Sequence, residues 1–168
     1  KIDNYSKEAI IELEYREAAY GKAGYRTLRT SALSGEGITE LKTILKDKIS
    51  LFSGHSGVGK STLANELQPG LNLQTGSVSE SHGQGKHTTT FAEMHFMKFG
   101  AHIIDTPGSP GFLGKAIAAF PAVETQVIMI DAGTGIDTIT RKLLKVGKER
   151  SLPQVILINK MDHCEDLG

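Results

Sequence analysis

Gly54-His55-Ser56-Gly57-Val58-Gly59-Lys60-Ser61 matches the pattern G-x-x-x-x-G-K-[ST] at every fixed position, and its flanks decide how it reads. Ile49 to Ser53 before it has the make-up of a buried strand, and Lys60 to Gln68 after it reads as a helix stopped by Pro69-Gly70. A glycine loop between strand and helix turns backbone N–H groups and a helix N-terminus toward an anion. In that setting Lys60 reaches β- and γ-phosphates and Ser61 ligates Mg²⁺. Gly54, Ser56, Gly57, Val58, Gly59, Lys60, Ser61 and Thr62 are therefore the candidate phosphate-binding residues, with Lys60 also a candidate catalytic one.

Upstream, Ile10, Leu13, Glu17 and Tyr20 recur at near-helical spacing beside Ile11 and Ala18, predicting an amphipathic helix closed by Gly21 and Gly24. Tyr25 to Ala32 is β-rich, and Gly35 to Gly37 turns it into a second helix with Ile38, Leu41, Leu45 and Ile49 on one face. Downstream, the polar stretch from Pro69 to Lys86 lacks periodicity and is expected to be mobile. Phe91 to Phe99 and Ala101 to Ile104 form a hairpin about Gly100, ending at Asp105. A helix over 112–120, a strand Val127 to Ile130, a helix Asp137 to Arg150 and a strand Val155 to Ile158 complete the alternation. Apolar strands separated by helices predict a three-layer α/β fold with a mostly parallel sheet, and the absence of a linker predicts one domain over residues 1–168.

Composition narrows the function classes. The 19 Lys+Arg balance 19 Asp+Glu, which removes the bulk attraction that steers a small domain onto nucleic acid. No DNA partner is expected, and an RNA contact would have to be local or shared with a partner. The apolar runs Val127–Ile130 and Val155–Ile158 are far short of the about 20 residues of a membrane span, and Lys1-Ile2-Asp3 is no signal peptide. A soluble, cytoplasmic protein without a membrane partner is expected. The single cysteine, Cys164, excludes an internal disulfide, and His163-Cys164 is too small a ligand set for a metal. Arg141, Lys142, Lys145, Lys148 and Arg150 on one helix read as a solvated face that suits the helix dipole.

Two further motifs extend the site. Asp105-Thr106-Pro107-Gly108 follows a buried strand, so Asp105 is placed to hold a Mg²⁺-bound water and the Gly108 amide to meet a γ-phosphate. Asn159-Lys160-Met161-Asp162 ends the last strand, where Asp162 can accept hydrogen bonds from guanine N1 and N2 that adenine does not offer. A carboxylate left unpaired by the wrong base is costly, which favours guanine.

Together these motifs resemble the G1, G3 and G4 elements of the P-loop GTPases. Thr30-Ser31-Ala32 resembles their G5 element, which implies that Ser31 and Ala32 support the base. The fifth element here comes first, so the order is circularly permuted. Residues 1 to about 108 resemble the naturally permuted ribosome small-subunit-dependent GTPase family, on Thr30 to Gly37, Ser53 to Thr62 and Gly85-Lys86-His87-Thr88-Thr89-Thr90. That resemblance implies GTP and GDP as ligands, Mg²⁺ as cofactor, Thr89 in the metal shell beside Ser61 and Asp105, and the ribosome as a partner. The family's oligonucleotide-binding barrel and zinc module have no counterpart in these residues, so binding through them is not expected. From about 111, Phe112 to Ile117, Ala132 to Gly135 and Asn159 to Asp162 resemble the G domain of elongation factor G. The chain reads as a joint between two GTPase families, engineered or recombined, with Lys1-Ile2-Asp3 a remnant of a second G4 and the new ends at the base loop.

The resemblance also exposes a gap. Ser109 stands where elongation factor G has histidine, and it is too short to orient water. His87 is the candidate substitute, and hydrolysis is expected at about 10⁻⁴ per second or less. Three rivals stand beside a slow GTPase: a GDP/GTP-binding module without turnover, an engineered permutant that is a monomer or a domain-swapped dimer, and an ATP-using protein, since only the base-loop motifs choose the base.

Overall fold

The computed structural model describes residues 7–75 and 91–161. Its elements are α1 (Lys7–Lys22), β1 (Arg26–Arg29), α2 (Ile38–Leu45), β2 (Ile49–Ser53), α3 (Lys60–Leu67), β3 (Glu93–Phe96), β4 (His102–Asp105), α4 (Leu113–Ala119), β5 (Thr125–Asp131), α5 (Thr138–Glu149) and β6 (Gln154–Asn159). Among the described residues no helix is long and apolar enough to cross a membrane. The expectations placed on His87, Thr89, Asp162, His163, Cys164 and the first six residues lie outside this range, as does most of the aperiodic stretch before Phe91.

Six strands form one sheet in the order β1-β6-β5-β2-β4-β3. All neighbours are parallel except β3, which pairs antiparallel with β4 in the hairpin the sequence predicts. Side chains alternate across this sheet, so each strand supplies two cores. On one face Phe52, Val127, Met129, Val155 and Leu157 pack with Leu41 and Leu45 of α2 and Leu63 and Leu67 of α3. On the other, Ile128, Ile130, Ile156 and Ile158 meet Leu13 of α1 and Leu144 of α5, while Leu51 and Ile104 meet Ala116, Phe120 and Leu143. The fold is therefore α/β with helices on both faces of a mostly parallel sheet.

Two local readings need correction. Ile49 does not continue the apolar face of the second helix: α2 ends at Leu45, and Ile49 opens β2. The first helix is less amphipathic than its spacing suggests, because Leu13 is buried whereas Ile11 and Tyr15 are 65% and 70% exposed. Only a narrow stripe of α1 meets the sheet.

A buried amide network pins α5. Gln126 donates to Ser53 Oγ and to the Leu143 carbonyl at 3.1 Å each, and Gln154 donates to Gln126 Oε1 at 2.6 Å and to the Leu144 carbonyl at 2.9 Å. Gly147 lies directly over these amides, and a Cβ there would collide with Gln126 Oε1. Gly147→Ala gains about 1 kcal/mol of helix propensity but must break buried hydrogen bonds to make room, a larger cost. We expect it to lower the unfolding free energy in urea by about 1–2 kcal/mol; an unchanged midpoint would show that the network yields freely.

Candidate functional site

The loop between β2 and α3 owes its shape to glycine. Gly54, Gly57 and Gly59 take φ of 151°, 80° and 96°, a region side chains avoid. A Cβ on Gly54 would strike the Met129 carbonyl, and one on Gly59 would lie 2.5 Å from Asn159 Nδ2. The loop folds around Lys60, whose ammonium donates to the Gly54 and His55 carbonyls at 2.9 Å each. Burial pushes the Lys60 ammonium down from 10.5 to about 8, with the charges of Asp105 and Asp137 holding it up in part. Thr62 is exposed on the first turn of α3.

Asp105 ends β4 beside this loop and accepts a 2.9 Å hydrogen bond from Ser61 Oγ. A hydroxyl and a carboxylate next to a buried cation form an oxygen donor set that fits a hard divalent ion such as Mg²⁺. After Asp105, Thr106 Oγ1 donates to the Phe52 carbonyl at 2.6 Å, and the Ser56 N–H donates to the Gly108 carbonyl at 3.1 Å. Gly108 is pressed against the His55–Ser56 peptide so closely that a Cβ would overlap it. Ser109 is buried.

Asn159 joins the remaining pieces. Its Nδ2 donates to the Val58 carbonyl at 2.8 Å, while its Oδ1 accepts from Thr30 Oγ1 at 3.1 Å. Thr30 also docks by backbone, its N–H on the Ile158 carbonyl at 2.8 Å. Beyond Thr30, Ser31 Oγ accepts from the Ser34 N–H at 3.1 Å and closes a turn that also contains Ala32. Lys160 adopts φ 61°, left-handed for a non-glycine residue, and its ammonium lies 3.0 Å from the Asp131 carboxylate. Burial alone would raise Asp131, but the hydrogen bond and charge of Lys160, with the Gly133 and Thr134 amides, bring it below its ordinary value.

The residues at 30–32, 54–61, 105–108 and 159–160 thus gather where parallel strands end, the usual ligand crevice of an open α/β sheet. The basic residues of α5 do not join them: Arg141, Lys145 and Lys148 border an open groove of about 520 Å³ with Tyr20 and Tyr25, and Lys145 lies 3.8 Å from Glu149. Sequence reading missed the Thr30 hydroxyl and Asp131. Asp131 carried a signal, since it ends an apolar strand just as Asp105 does.

Comparison with known proteins gives a family match confined to one part of the chain. The RsgA GTPase model matches residues 1–112. The small ribosomal subunit biogenesis GTPase RsgA of Flavobacterium psychrophilum is 54% identical over 112 residues, covering 67% of this chain and 34% of that protein. Its namesake in Flavobacterium johnsoniae is 48% identical with the same coverage. The crystal structure of YjeQ from Thermotoga maritima aligns over 88% of this chain and 51% of that one, at 29% identity and a TM-score of 0.49. The chain spans about a third of the length of the curated relatives it matches.

Three outcomes follow from the geometry. Between pH 8 and 10.5 the folded chain has lost the Lys60 proton that the unfolded chain keeps, so this group's contribution to stability rises with pH across that window. Anion binding runs the other way: affinity for inorganic pyrophosphate falls as pH rises through about 8, with proton uptake measurable by calorimetry in two buffers. Asn159→Ala strands the buried Val58 carbonyl and the Thr30 hydroxyl, and should lower stability by about 2–3 kcal/mol in chemical denaturation.

Proposed function

The chain belongs to the RsgA GTPase family through residues 1–112, and from that premise we propose that it binds GTP and GDP and hydrolyses GTP slowly with Mg²⁺. One observation carries the reading: a single buried asparagine, Asn159, bonds both the phosphate loop at Val58 and the Thr30 loop. Phosphate and base contacts are thereby set at a common spacing. Lys60 neutralises the β- and γ-phosphates, the 54–61 backbone cradles them, and Gly108 meets the γ-phosphate. Ser61, Asp105 and Thr89 are the residues that would hold Mg²⁺, which would supply charge stabilisation at the transferring phosphoryl group. Asn159, Lys160 and Asp162 form the base-binding set, with Asn159 and Asp162 reading guanine, and Ser31-Ala32 support its carbonyl edge.

Water attacks the γ-phosphate in line. Ser109 is short and buried, which supports slow turnover, with His87 the residue placed by sequence to aid the water. The circular order is supported by Thr30 preceding the phosphate loop in sequence while β1 pairs with β6. A joint to an elongation-factor-G-like segment near residue 112 is supported by the end of the family match there, although β5 and β6 continue the same sheet. The relatives' role in small ribosomal subunit biogenesis suggests that subunit as the partner.

The test is single-turnover hydrolysis by nucleotide-stripped protein in Mg²⁺. We expect GTP cleavage on the order of 10⁻⁴ per second, lost in Lys60→Ala, and ATP cleaved far more slowly. Asp162→Ala should weaken GDP about 100-fold without improving ADP. Equal use of ATP and GTP by the parent chain would refute the guanine reading.

A further inference from the structure

Lys160 combines two unusual features. Its backbone is in the left-handed region, φ 61°, and its ammonium is committed to the Asp131 carboxylate at 3.0 Å. Such strain at a non-glycine residue persists only where surrounding contacts over-determine it, and it collects at binding sites. Asp131 is itself held from several sides. It stands opposite Asn159 in the β5–β6 register, and its Oδ1 accepts the Gly133 N–H at 2.9 Å. Its carbonyl accepts the Gly135 N–H at 2.9 Å, and the Ala132 N–H bonds the Asn159 carbonyl at 3.0 Å.

The loop after β5 is clamped from outside by α1. Arg16 donates through Nη1 to the Ala132 carbonyl at 2.7 Å and the Gly133 carbonyl at 3.2 Å, while its Nε engages Glu12 at 3.0 Å. Gly135 packs against the same guanidinium: a Cβ there would lie 3.6 Å from it. The contacts run in series from α1 through the 131–135 loop to Lys160.

We propose that Asp131 and Arg16 are positioning residues for base recognition: Asp131 fixes Lys160, and Arg16 fixes the loop that aims Asp131. The proposal rests on the guanine-nucleotide reading above. Arg16 falls within the matched residues 1–112 and Asp131 beyond them, so this clamp also joins the two parts of the chain. The side-chain hydrogen bonds and ion pairs of Arg16 and Asp131 run to Glu12, Ala132, Gly133 and Lys160, so the effect should fall on the base and not on the phosphates.

The experiment titrates GDP, ADP and inorganic pyrophosphate, each with Mg²⁺, into the parent chain, Asp131→Asn, Arg16→Ala, Arg16→Lys and the double variant Asp131→Asn/Arg16→Ala. Asp131→Asn keeps the side chain's shape and removes its charge, so folding is spared; Arg16→Ala tests the clamp independently. We expect GDP to weaken about 10-fold in Asp131→Asn and about 3-fold in Arg16→Ala, with partial recovery in Arg16→Lys and pyrophosphate within about 2-fold throughout. Because the contacts act in series, the double variant should be no weaker than Asp131→Asn alone. Unchanged GDP affinity, an equal loss for pyrophosphate, or fully additive losses would each overturn the proposal. A parent chain without preference for GDP over ADP removes the guanine reading and this inference together. A parent preference that Asp131→Asn retains in full removes this inference alone.

Discussion

The buried side chain of Asn159 is the constraint on which the site's geometry depends. An amide has one donor group and one acceptor, and here each is committed to a different loop: Nδ2 to the Val58 carbonyl, Oδ1 to the Thr30 hydroxyl. An unpaired buried amide costs more than a made hydrogen bond returns, so the three segments hold one another in place. Gly59 completes the arrangement by omission, since any side chain there would press on that amide. The parallel sheet brings these strand ends together, and Asn159 sets their spacing.

Lys60 shows the cost of burying a cation inside a tight glycine loop. Its ammonium is buried within carbonyls of its own loop, and that burial lowers its pKa to about 8. The charge is stabilised less well among these carbonyls than in water, and the cost appears in the lowered proton affinity of the ammonium. Asp105 moderates this from β4 while accepting a hydrogen bond from Ser61, so one carboxylate serves both the lysine and the serine.

Much of this was legible in the sequence because the relevant signals are local. The glycine-lysine spacing of 54–61, the apolar strands ending at Asp105 and Asn159, and the break at Pro69-Gly70 each depend on neighbours a few positions apart. Ile49 was ambiguous because a residue three or four positions past Leu45 suits a helix face and a strand start alike; the turn at Asp47, φ 58°, decides for the strand. The periodicity of α1 counted Ile11 among its apolar residues, but spacing does not say how wide a stripe the sheet will cover. The Thr30–Asn159 bond joins residues 129 positions apart, and the Asp131–Lys160 pair depends on strand register. Neither pairing leaves a local trace, although the place of Asp131 at the end of an apolar strand does.

Amide hydrogen exchange with and without GDP tests the coupling of the three loops most directly. If Asn159 binds them into one unit, GDP should slow exchange together at 30–36, 54–61 and 159–161, and Asn159→Ala should leave only 54–61 protected. Protection of 54–61 alone in the parent chain would contradict the account, because the loops would then respond to ligand separately.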